Sequence, residues 1–138
     1  MKKYIAMVLS LICVLGLTGC IGKSMRYDIG QASTIIIKSG LTSEEVRLSD
    51  SELISKITED INSLRFEKTA KSNDEMNYIY ILTWLDEKSN VIETVTVTSE
   101  NGYQIRHNGY YYKVCADLCI DTSLIEQAFD KQSSSGEN

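Results

Sequence analysis

The stretch NYIYILTWLDE, residues 77–87, decides the architecture. In an extended chain Tyr78, Tyr80, Leu82 and Trp84 share one face, and Ile79, Ile81, Thr83 and Leu85 share the other. Both faces are apolar, so the segment is predicted to be a central strand. The aliphatic face suits packing beneath a helix. The aromatic face then either fills a second half-core under a C-terminal helix or stays partly open. With Tyr103, Tyr110 and Tyr112 on later strands, the second alternative makes Tyr78, Tyr80, Trp84, Tyr110 and Tyr112 a candidate binding face for a peptide, glycan or partner protein.

Outward from this strand, VIETVTVTS, GYQIRH and GYYYKV follow across the EKSN, ENG and HNG turns as antiparallel neighbours. Upstream, TIIIKSG and EEVRLS read as a hairpin. In SDSELISKITEDINSLRF, Ser49 and Glu52 have capping-box spacing and Leu53, Ile54, Ile57, Ile61 and Leu64 recur on one helical face. KTAKSNDEM reads as a polar loop. DTSLIEQAFD, with Ser123 and Glu126 at the same spacing, reads as a two-turn helix. The expected fold is α+β: a hairpin, one long helix, a four-stranded antiparallel meander and a short C-terminal helix. It forms one globular domain, residues 34–130, followed by a disordered tail, 131–138. Residues 20–33 lack periodicity and are expected to be a flexible tether spanning roughly 20 Å.

The chain begins MKKYIAMVLSLICVLGLTGC. Lys2 and Lys3 precede an apolar run from Ile5 to Leu17, broken only by Ser10 and Gly16, and too short for the ~20 residues of a spanning helix. Its end, Leu17-Thr18-Gly19-Cys20, resembles the lipobox of bacterial lipoproteins. That resemblance implies cleavage of a signal peptide, residues 1–19, and a diacylglycerol thioether on Cys20. Two or more acyl chains, at ~0.8 kcal/mol per buried CH2, would hold the protein on the extracytoplasmic face of the membrane. In architecture the domain looks like the small uncharacterised surface lipoproteins of Gram-positive bacteria, a likeness that carries no activity across. The 138-residue chain has a formal net charge of −5, and loss of Lys2 and Lys3 with the signal makes it more negative by two. An acidic surface excludes tracking of a phosphate backbone, so no nucleic-acid partner is expected.

The remaining chemistry is sparse. Cys13 leaves with the signal and the lipid consumes Cys20, which leaves Cys115 and Cys119 of VCADLC to pair outside the cytoplasm. As CxxxC the pair has one residue too many for a thioredoxin-type motif, and zinc would need two further ligands. The expectation is a disulfide closing a turn between the last strand and the short helix. His107 is the lone histidine, at the edge of the HNG turn, with no nucleophile pointed at it. Asp86 with Glu87, and Asp117 with Asp121, lack the spacing of a calcium loop. No catalytic residue, metal site or cofactor is therefore assigned. The expectation is a membrane-anchored binding or accessory module of the cell envelope. Its alternatives are an inhibitor or immunity lipoprotein that intercepts an antibacterial enzyme or peptide, and a hydrolase whose site is not legible.

Overall fold

The computed structural model describes residues 23–72 and 77–136. The signal peptide and the lipobox with Cys20 lie outside the described residues. In chain order the elements are β1 (Ser24–Met25), β2 (Thr34–Ser39), β3 (Glu45–Leu48), α1 (Ser51–Ser63), β4 (Phe66–Lys71), β5 (Tyr80–Leu85), β6 (Val91–Val97), β7 (Gln104–His107), β8 (Tyr110–Val114) and α2 (Thr122–Ser135). All eight strands form one sheet in the order β1-β4-β8-β7-β6-β5-β2-β3, antiparallel throughout.

This corrects the expected fold. Hairpin and meander are not separate parts, because β2 pairs with β5 along its whole length, from Thr34 opposite Leu85 to Ser39 opposite Tyr80. The segment read as a loop, residues 68–76, begins with the latter part of β4, which joins β8 to the two-residue β1. Phe66 is the one fully buried side chain of β4, so that strand shows no period-2 pattern. The described part of the stretch read as a tether, residues 23–33, is packed instead: Tyr27 and Ile29 are each 5% exposed. Ile29 N–H donates to Asn62 Oδ1 at 2.9 Å, and Asn62 Nδ2 donates back to the Ile29 carbonyl at 3.0 Å.

Register places Val46 and Leu48, Ile35 and Ile37, Leu82 and Trp84, Val95 and Val97, Ile105, Val114 and Phe66 on one face of the sheet, where both helices lie. α1 presents Leu53, Ile54, Ile57 and Ile61 to it. Its N-cap is Asp50 rather than Ser49, the carboxylate accepting from Glu52 N–H and Leu53 N–H at 3.0 Å each. α2 presents Ile125 and Ala128 and is capped by Asp121. It is twice the expected length: hydroxyls of Ser133, Ser134 and Ser135 donate to the carbonyls of Phe129, Asp130 and Lys131, so residues read as a disordered tail continue the helix.

Candidate functional site

The expected binding face is dispersed by the structure. Trp84 is fully buried beneath α1, where its Nε1–H donates to Thr58 Oγ1 at 2.9 Å, and Thr58 in turn donates to the Ile54 carbonyl. The aromatic face of β5 thus packs under the helices, the reverse of the expected orientation, and Ile79, Ile81 and Thr83 turn to the opposite side half-buried. Tyr110 and Tyr112 share the inner face but lie three strands from β5, roughly 14 Å away at ~4.8 Å per strand. Tyr110 carries the Lys68 ammonium 3.4 Å above its ring. Tyr78 is half-buried and Tyr103 is exposed. Of the expected set, Tyr80 lines an open cleft.

That cleft belongs to a groove between β3 and α2, built of adjoining hollows. The first, of about 270 Å³, is lined by Leu41, Glu44, Tyr80, Glu126, Phe129 and Asp130 among others. It shares Glu44 and Phe129 with a hollow of about 350 Å³, which shares Glu45, Val46 and Gln132 with a third of about 600 Å³. Local geometry explains the first hollow. Gly40 N–H donates to the Ile79 carbonyl at 2.8 Å, and a side chain at Gly40 would meet Tyr78 O at 2.0 Å, so only glycine lets the loop lie against β5. Ser39 Oγ accepts from Leu41 N–H and Thr42 N–H, holding the loop with Leu41 62% exposed at the cleft mouth. Across from it, the rings of Tyr80 and Phe129 stand 6.3 Å apart.

β3 is an edge strand. Ser39 N–H donates to the Glu44 carbonyl at 2.8 Å, which makes 39–44 a hydrogen-bonded pair. By alternation 37–46 and 35–48 are hydrogen-bonded pairs too, and the backbone N–H and C=O groups of Glu45 and Arg47 point away from β2. The groove therefore offers unpaired backbone on one wall and a helix on the other. Its charge is uneven. Lys131 is engaged with Asp50, and this hydrogen bond, with those from Leu53 and Glu52, holds the Asp50 carboxyl below its ordinary value. Among the described residues Glu126 and Asp130 have no cationic partner. Burial, reinforced by the Glu126 charge, raises the Tyr80 hydroxyl, which stays protonated as a donor at neutral pH.

A second cluster surrounds Tyr27. Its ring meets Phe66 and His107 edge-on at 5.6 and 5.9 Å, and its buried hydroxyl has no hydrogen-bond partner. Burial, then the charge of Glu93, raises that hydroxyl. His107 also stacks edge-on with Tyr112 and has Asn108 Nδ2 3.1 Å from its Nε2. This is aromatic packing around the lone histidine. Cys115 and Cys119, expected to be bridged, are both free thiols, the first half-buried and the second exposed. They flank a turn in which Ala116 and Asp117 adopt left-handed φ of 60° and 53° and Leu118 N–H donates to the Cys115 carbonyl. No group of three metal-ligating side chains occurs among the described residues.

Sequence reading missed Leu41, Glu44, Glu126, Phe129 and Asp130 as a site because they come from two segments far apart in the chain. The only local signal was the SGLTSE turn with its glycine. Comparisons with protein-family models, with curated proteins and with solved structures find no match to this chain.

Proposed function

We propose that this chain is a lipid-anchored, extracytoplasmic binding module of the cell envelope with no catalytic role of its own. The observation that carries the binding reading is the groove between β3 and α2, an open channel with unpaired strand backbone on one side and an aromatic floor at one end. The anchor rests on Lys2, Lys3, the short apolar run and Leu17-Thr18-Gly19-Cys20. No helix among the described residues is long and apolar enough to cross a membrane. On intact cells, labelled palmitate should enter the wild-type chain and not Cys20→Ala, and added protease should reach the domain once the cell wall is removed. A chain that takes no lipid and stays inside the cell overturns the reading.

A second reading, an inhibitor or immunity lipoprotein that intercepts an antibacterial enzyme or peptide, is favoured by the carboxylates of Glu44, Glu126 and Asp130 around the first hollow. It predicts that cells lacking the protein become more sensitive to a cationic attacker. Equal sensitivity across a panel of such agents removes it.

A further inference from the structure

We infer that the groove takes an extended basic peptide segment, which adds as a strand to the Glu45 and Arg47 edge of β3 and sets an apolar side chain against Tyr80 and Phe129 with a Lys or Arg facing Glu126 and Asp130. This rests on the binding-module reading above and names its ligand.

The geometry selects the ligand class. A hollow of about 270 Å³ falls just under the ~300–1,000 Å³ of small-molecule sites, and it suits one or two side chains. Its continuation along β3 gives room for a backbone, and the two outward-pointing residues of β3 supply two N–H donors and two C=O acceptors for it. Charges on a short edge strand commonly serve to repel other strands, and Glu45 and Arg47 have that character. A guard alone, however, does not call for an open channel between the edge and a helix. Two observations set the chemistry of the occupant. Tyr80 is only 8% exposed, lines the hollow, and has no hydrogen-bond partner among the described residues, so its hydroxyl is left for a ligand. Glu44, Glu126 and Asp130 surround it, while the lysine of α2, Lys131, is committed to Asp50 at the other end. A strand added to β3 sends every second side chain under α2. A sequence with alternate basic and apolar residues on that face meets both demands.

The test uses the full lipid-bearing chain in zwitterionic nanodiscs, with empty discs as control, and a fluorescent capped heptapeptide, Thr-Lys-Thr-Leu-Thr-Lys-Thr. Three comparisons are made: glutamate in place of lysine, N-methylation of the peptide backbone, and protein carrying Glu126→Gln with Asp130→Asn. The lysine peptide should bind in a salt-dependent way and the glutamate peptide should not. N-methylation should remove most binding, and the double substitution should weaken it by roughly three- to tenfold, as two exposed charge pairs allow. Arg47→Pro, which removes an N–H that faces away from the sheet, should act like N-methylation. Equal binding of the N-methylated peptide, or no change with the double substitution, overturns the inference, as does absence of binding at millimolar peptide. These outcomes are independent of palmitate labelling. A chain that takes lipid but fails this titration loses only its ligand, and one that titrates without taking lipid loses only its anchor.

Discussion

Trp84 turns on one hydroxyl. The pattern of residues 77–87 shows which side chains share a face, but with both faces apolar it does not show which one meets the helices. The deciding contact is Trp84 Nε1–H to Thr58 Oγ1, which satisfies the indole donor in a fully buried position. Thr58 lies on a flank of α1, and nothing in its sequence context marks it as a partner. Thr58→Val keeps the volume and orphans the indole N–H, which should cost roughly 1–3 kcal/mol. Thr58→Ser should stay near wild type. Midpoints of chemical denaturation, followed by Trp84 fluorescence, measure both. Equal stability of Thr58→Val would show that the indole does not depend on this acceptor.

Single elements were legible where burial imposes a period and illegible where it does not. α1 carries four buried aliphatic residues at helical spacing, and its span is plain in the sequence. β4 buries one residue fully, and the second half of α2 has three serines whose hydroxyls turn back onto their own helix, so neither shows a pattern. Deleting residues 131–138 separates the two views of that end. It removes the last turn of α2 and the Lys131 partner of Asp50, and should lower the melting temperature by a few degrees, where loss of a disordered tail would leave it unchanged. The Cys115 turn offers a second element-level test. Although both thiols are free in the structure, we expect the oxidising exterior to bridge them in the exported protein, so that both resist alkylation and reduction lowers the melting temperature by no more than roughly 10 °C, because a five-residue loop gains about 2 kcal/mol at most. Two readily alkylated thiols in the exported chain would exclude the bridge.

The whole-molecule topology was the least legible level. Pairing of β2 with β5 skips β3, α1 and β4, and β4 reaches β8 across three intervening strands. Such contacts between distant segments leave no trace in local pattern. The site inherits this, since its loop and its helix are separated by most of the domain. The clasp between Ile29 and Asn62, together with β1, has a consequence for how the molecule stands in space. Only Ile21, Gly22 and Lys23 lie between Cys20 and β1, a reach of roughly 14 Å at ~3.5 Å per step even fully extended. A lipid on Cys20 therefore moors the sheet by its β1 margin close to the headgroups. β3 is the opposite margin, seven strand spacings away, roughly 34 Å at ~4.8 Å each. Fluorescence energy transfer from a dye at Leu41 to a labelled bilayer should report a separation of that order, and a Gly-Ser insertion after Lys23 should blur it. The molecule would then stand like a mast, its base fixed at the membrane and its receptive rim turned toward whatever arrives from outside.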